Sequence, residues 1–322
     1  MRAFEHVNAT SVQEAVKLLS VENARAVAGG TDLLGVVKEG LLPTGRVVNL
    51  KTIPGLDQIK ADGEGLRVGA LARLADIAGS ALVRERAPSV AAAASAVASP
   101  QIRNMGTLGG NLAQKVRCWY YRDPDRADCY KRNGSYCYAV FGASDVHAIF
   151  DGAACFAVTP SDTAVALTAL DAEITIAGPK GERTVGATSF FIGPGKDYMR
   201  EVDLAQDEII TEVRIPSAFA KQPSVFLKAA PRKAIDFARA SVAATVVGGA
   251  QVVKSRLVLG GVSAVPRRAL GAEAYLEGKR LTPDVIAKAA ELATEGAKPL
   301  AKNAYKIRLT QGLVRQALTR LA

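Results

Sequence analysis

Val12, Ala15, Val16 and Leu19 recur at helical spacing, so the chain's first clear element is a helix with one apolar face. Ser11 and Glu14 form a capping box that starts it. A short apolar run follows at residues 25–28, breaks at Gly29-Gly30, and gives way to a helix opening at Asp32-Leu33-Leu34. Residues 46–50 and 66–69 read as further buried strands, and the Ala-rich run at 89–98 as a helix that stops before Pro100. Ser161-Asp162 caps another helix that runs through Leu170. Residues 172–176 and 208–215 read as strands, the second stopped by Pro216. Residues 217–223 look like a linker. Beyond it the order changes to three strand-like runs (224–230, 238–247 and 256–262), then helices at 267–277, 283–295 and 303–321. Strands followed by helices predict a separate α+β unit. The expected organisation is an α/β unit over 1–55, a second over 56–216, and an α+β unit over 217–322, for an α+β protein overall.

Composition narrows this little. The chain is 49% hydrophobic and 22% charged, which is ordinary for a globular protein. No apolar run reaches the ~18 residues that would suggest a membrane span. Glu5, His6 and Asn8 interrupt the N-terminus where a signal peptide needs apolar residues, so a cytoplasmic location is expected, with export on a partner as the other route. The net charge of +10 is uneven: residues 228–322 hold 17 Lys and Arg against 6 Asp and Glu, and the rest of the chain nearly balances. These basic residues come singly or in pairs (Arg267-Arg268, Lys279-Arg280), without the clustering that nucleic-acid binding needs. They read as solvated helix faces or as a docking face for an acidic partner or cofactor phosphates.

Two glycine pairs carry candidate chemistry. Ala28-Gly29-Gly30-Thr31-Asp32 follows a strand and opens a helix, and Thr107-Leu108-Gly109-Gly110-Asn111 has the same character. Paired glycines let the backbone approach a phosphate closely. Neither matches the dinucleotide-fold or P-loop fingerprints, so each alone is weak, but two together suit a dinucleotide diphosphate held from two sides. Lys228 is a further candidate, against the alternative of an ordinary edge-strand lysine.

All four cysteines, Cys118, Cys129, Cys137 and Cys155, fall within residues 118–155, spaced C-x10-C-x7-C-x17-C. Disulfides are not expected in a chain without an export signal, and zinc sites favour close C-x2-4-C pairs. A [4Fe–4S] cluster needs four thiolates and tolerates long loops between them. Spacing leaves the cluster, zinc and plain buried thiols all open. Lys115, Arg117, Arg122, Arg126, Lys131 and Arg132 would offset a cluster's negative charge, and Trp119, Tyr120, Tyr121, Tyr130 and Tyr136 could shield it from water.

These motifs, with Arg103-Asn104-x-Gly106-Thr107-x-Gly109-Gly110-Asn111-Leu112, Ser161-Asp162, Glu208-Ile209-Ile210, and Lys228 with Arg232, resemble the FAD-binding medium subunit of the molybdenum hydroxylases, the xanthine dehydrogenase and carbon monoxide dehydrogenase family. The resemblance covers essentially the whole chain. It implies a two-part α/β FAD-binding domain of the vanillyl-alcohol-oxidase type, then a C-terminal domain with a three-stranded antiparallel sheet and a helical bundle. It implies that Arg25, Ala26, Val27, Ala28, Gly29, Gly30, Thr31, Asp32 and Leu33, with Thr107, Gly109, Gly110 and Asn111, hold the FAD diphosphate without a covalent link. It places Asp162 at the ribose–adenine half, and Ile210 and Lys228 near the isoalloxazine. Most family members lack the roughly 40 residues at about 115–156. Such an insert looks like the branches with an extra [4Fe–4S] cluster, the periplasmic aldehyde oxidoreductase subunit and the 4-hydroxybenzoyl-CoA reductase β subunit, with His147 a structural residue between the ligands. The implied function is electron transfer in a heterotrimer. A large molybdopterin subunit would act on an aldehyde or aromatic substrate, and a small partner would carry two [2Fe–2S] clusters. A quinone, ferredoxin or similar acceptor completes the set, or in the reductase-type branch the flow runs inward from ferredoxin. The rivals are a stand-alone flavin oxidoreductase and a zinc-stabilised assembly subunit that binds no flavin.

Overall fold

The computed structural model describes residues 2–322, which build three β-sheets flanked by helices. The first sheet holds β1 (Glu5–Asn8), β2 (Ala24–Val27) and β3 (Arg46–Asn49), all parallel, in the order β1-β3-β2. The helix Val12–Leu19 connects β1 to β2 and buries Ala15, Val16 and Leu19, the expected apolar face. Ser11 Oγ accepts from the Glu14 amide. The Glu14 carboxylate turns back one residue further than a capping box predicts, to Thr10 N and Oγ1.

The second sheet is antiparallel, in the order β4-β5-β8-β6-β7. Its strands are β4 (Ile59–Asp62), β5 (Gly65–Gly69), β6 (Glu173–Gly178), β7 (Gly181–Gly186) and β8 (Ile209–Ile215). The main core lies between this sheet and the helices Leu74–Gly79, Pro88–Ala96 and Asp162–Thr168. The Ala-rich helix ends at Ala96, two residues earlier than its composition predicts: Val97 turns to an extended ψ of 124° and Ala98 takes a φ of 42°, both outside the helical region. Residues 217–223 are no free linker. Phe219 and Ala220 are buried in the main core, and the Lys221 amide donates to Arg86 O.

The third sheet is antiparallel and has four strands: β9 (Ser224–Ala229), β10 (Ala240–Gly248), β11 (Val252–Gly260) and β12 (Arg267–Arg268). The sequence predicts three strands here and a helix from residue 267. Instead Arg267 and Arg268 pair with Leu259 and Val258, and the helix begins at Leu270. Strand β11 also starts four residues early, because its hairpin with β10 extends the ladder through the polar stretch Lys254–Arg256. The helices Leu270–Leu276, Pro283–Leu292 and Tyr305–Thr319 cover one face of this sheet, and Ile149 and Phe150 join their core. Among the described residues no helix is long and apolar enough to cross a membrane.

Candidate functional site

The two glycine turns meet. Gly29 lies so close to the second turn that a Cβ on it would overlap the Met105 carbonyl. Gly30 takes a φ of 69°, which admits glycine at no steric cost. Among the described residues nothing accepts from the amides of Gly29, Gly30, Thr31 and Asp32. A run of free amides at a turn can form an anion-binding concavity. The second turn differs. Thr107 Oγ1 accepts from Gly110 N and caps the helix Leu108–Leu112. Leu108 N donates to Ala72 O at 2.9 Å and Gly109 N to Ala70 O at 2.8 Å, so this turn is tied to the second sheet's core.

What the second turn offers is Asn111. Its Oδ1 accepts from Ser161 Oγ at 2.7 Å and from Thr163 Oγ1 at 2.6 Å. Ser161 Oγ in turn caps the helix Asp162–Thr168 by accepting from Ala164 N. Asp162, 4% exposed, pairs with Lys228 at 2.7 Å, and Lys228 Nζ also donates to Ala96 O. Burial pushes the Asp162 carboxyl above its ordinary pKa, and the Lys228 charge opposes that shift. The resemblance places Asp162 and Lys228 at different parts of the cofactor; in the structure the two side chains form one ion pair. Ile210 is buried in the main core, beside Thr211, whose carbonyl accepts from Ala70 N beneath the second turn. Ser161 and Asp162 open onto a cavity of about 300 Å³ whose far wall holds Arg117, Trp119, His147 and Phe237.

Arg25, Ala26 and Val27 lie on β2, Ala28 leads into the turn, and Leu33 starts the helix Leu33–Lys38. Arg25 reaches Gln206 Oε1 at 3.2 Å. Asp32 faces away from the free amides. It accepts from Lys115 N at 2.7 Å and pairs with Arg117 and Arg122, each at 2.9 Å. The first turn is therefore fastened to the start of the cysteine segment.

That segment folds as short helical turns, Trp119–Arg122, Tyr130–Arg132 and Tyr138–Val140, separated by loops. All four cysteines line one small cavity, walled also by Tyr120, Tyr121, Tyr130 and Tyr138. All four are free thiols. Burial pushes the Cys118 thiol up to about 12 and the Cys155 thiol up to about 11, and raises Cys129 as well. Four sulfurs around one void, Cys129 buried and the others partly so, fit a group that supplies compensating positive charge. Among the described residues no three His, Cys, Asp or Glu side chains are placed to hold a single metal ion. The expected cationic shell is largely neutralised: Glu201 holds Lys115 and Lys131, Asp32 holds Arg117 and Arg122, and Asp123 pairs with Arg126. Buried carboxylates need such partners, so the local arginines and lysines answer them first. Trp119 turns towards the larger cavity instead of the cysteines.

Two residues that the sequence did not single out as functional matter here. Glu201 ties the cysteine segment to the loop before β8, with no local sequence pattern to mark it. His147, 1% exposed, sits 3.2 Å from Cys118 Sγ on the side away from the cysteine cavity. Burial, reinforced by the charge of Lys306, lowers its pKa to about 4, so its ring is neutral.

Residues 2–218 match the family described as the FAD binding domain in molybdopterin dehydrogenase, and residues 225–321 match the CO dehydrogenase flavoprotein C-terminal domain. The aldehyde oxidoreductase FAD-binding subunit of Escherichia coli is 35% identical over 97% of this chain and 96% of its own length. The carbon monoxide dehydrogenase medium chain of Hydrogenophaga pseudoflava is 29% identical over 98% and 96%. The solved structure of carbon monoxide dehydrogenase from that organism superposes with a TM-score of 0.78 at 27% identity, covering 99% of this chain and 97% of its own. Quinoline 2-oxidoreductase from Pseudomonas putida 86 gives 0.77 at 26% identity, with the same coverage. The chain is an oxidoreductase subunit and belongs to the FAD-binding medium-subunit family of the molybdenum hydroxylases.

Proposed function

We propose that this chain is the FAD- and [4Fe–4S]-binding electron-transfer subunit of a heterotrimeric molybdenum hydroxylase. Its role is to pass electrons between a small [2Fe–2S] subunit and an external acceptor such as a quinone or ferredoxin, while a large molybdopterin subunit carries out the substrate chemistry. The observation that carries the cluster half is the convergence of Cys118, Cys129, Cys137 and Cys155, from separate loops, on one cavity. The flavin half rests on the family match and on the free amides of Gly29–Asp32. The resemblance to an aldehyde oxidoreductase subunit over nearly the full chain favours an aldehyde as the partner's substrate.

In this reading residues 1–55 and 56–216 form the two parts of the FAD domain, 115–156 the cluster insert, and 217–322 the C-terminal domain. The amides of residues 29–32 bind the diphosphate, and the turn of Thr107, Gly109 and Gly110, whose own amides are bonded within the protein, helps to hold it by bracing the first turn. Asn111 fixes the Ser161 and Thr163 hydroxyls, and so holds Asp162 and Lys228 together towards the cofactor. Asp162 accepts and Lys228 donates there, which suits a ring edge or a ribose presenting both kinds of group. FAD, when bound, supplies a centre that can take electrons singly and hand on two. The four thiolates hold the cluster within a wall of tyrosines that limits water access.

The test is anaerobic purification of the chain with its co-expressed partners, followed by measurement of iron, acid-labile sulfide and released flavin. About four irons, four sulfides and one FAD per copy of this chain, after subtracting the small subunit's two [2Fe–2S] clusters, is the expected result. Flavin without that additional iron removes the cluster from the reading. Zinc without flavin overturns all of it.

A further inference from the structure

The cysteine segment contains one polar side chain aimed at a ligand sulfur from outside the cluster cavity. His147 Nε2 lies 3.2 Å from Cys118 Sγ. Backbone amides also meet these sulfurs, as the Ala157 amide meets Cys155 at 3.4 Å, but among the described residues Cys118 alone is met by a side-chain donor. The imidazole is held on every side. Trp119 meets it edge-on and Tyr120 stacks against it, each with ring centroids 5.8 Å away. Its amide donates to Ser144 O, and its carbonyl accepts from the buried Asn303 amide.

The tautomer follows from the partner. A ligating thiolate only accepts, so a bare Nε2 facing it would set two lone pairs against each other. The proton belongs on Nε2. That leaves Nδ1 as the atom without a partner, as the structure has it. His147 meets Cys118 without itself lining the cysteine cavity, so the thiol and not the ring faces that void.

We propose that His147 is a positioning residue that donates Nε2–H to the Cys118 thiolate and thereby raises the reduction potential of the cluster the four cysteines hold. This rests on the cluster reading above. Adding one electron makes the cluster and its thiolates more negative, and a hydrogen bond to a ligand sulfur stabilises that state. His147 and Cys118 also both line the cavity onto which Asp162 opens.

The experiment uses the assembled complex with full cofactor content. Iron and sulfide are counted first, and the midpoint of this cluster is then read by EPR-monitored redox titration in wild type, His147→Phe and His147→Gln. The phenylalanine variant keeps the ring's bulk without a donor, and glutamine keeps an N–H near the Nε2 position. The expected result is full iron in both, a negative shift of the midpoint in His147→Phe, and return towards wild type in His147→Gln. Full iron with an unchanged midpoint in His147→Phe overturns the proposal. If that variant loses iron, His147→Asn replaces it, since its amide falls short of the sulfur. A lower midpoint for asparagine than for glutamine sustains the proposal, and equal midpoints overturn it. A wild-type complex without the four extra irons overturns the underlying cluster reading instead, a separate failure visible before any titration.

Discussion

The turns at Gly29-Gly30 and Gly109-Gly110 look alike in sequence and do different work in the structure. In the first, the missing Cβ of Gly29 allows close contact with Met105, and four successive amides stay free. In the second, the amides of Leu108, Gly109, Gly110 and Asn111 are bonded within the protein, and the useful group is a side chain, Asn111. One turn presents backbone to a ligand, and the other sets the position of the hydroxyls and the ion pair that follow it. A repeated glycine pair therefore does not imply a repeated function. What separates the two is whether tertiary contacts leave the amides unpaired.

Four substitutions would break or sharpen this contrast. Gly29→Ala carries the largest effect. Its methyl meets backbone that cannot swing aside, which costs about 3 kcal/mol of stability, and purified protein should hold little flavin by absorbance. Asn111→Ala comes next. It leaves the buried Ser161 and Thr163 hydroxyls without their acceptor at a cost of about 1–3 kcal/mol, and flavin release on dilution should speed up without loss of iron. Thr107→Val removes the cap on the helix Leu108–Leu112, worth about 1 kcal/mol in thermal unfolding. Gly110→Ala should be nearly silent for folding. Its Cβ would sit 3.1 Å from the Thr107 hydroxyl, and that crowding is set against a helix-propensity gain of about 0.5–1 kcal/mol. If Gly110→Ala lowered stability as much as Gly29→Ala, the two turns would not differ as described.

How much of this was legible in the sequence depends on what each signal measures. The helix Val12–Leu19 announces itself because its apolar residues follow the helical period, β10 because it is a nearly continuous buried run, and β11 only through its apolar second half. Strands β1, β4 and β7 lie at sheet edges and are mostly exposed, so nothing in their apolar pattern marks them. Residues 217–223 read as a linker because only Phe219 and Ala220 among them go into the core. The glycine pairs were visible as candidates, but their difference lies in Met105 and Ala70, contacts between distant residues that spacing does not encode. The cysteine window was visible, whereas convergence on one cavity is a property of the folded loops. The meeting of Asp162 with Lys228, 66 positions later, likewise appears only when the third sheet docks on the second.

Asp32 closes the first glycine turn, and Lys115, Arg117 and Arg122 at the start of the cysteine segment grip its carboxylate. That grip ties together two stretches far apart in the chain. A displacement of residues 115–122 reaches the turn that presents the free amides, so the two loosen or tighten together.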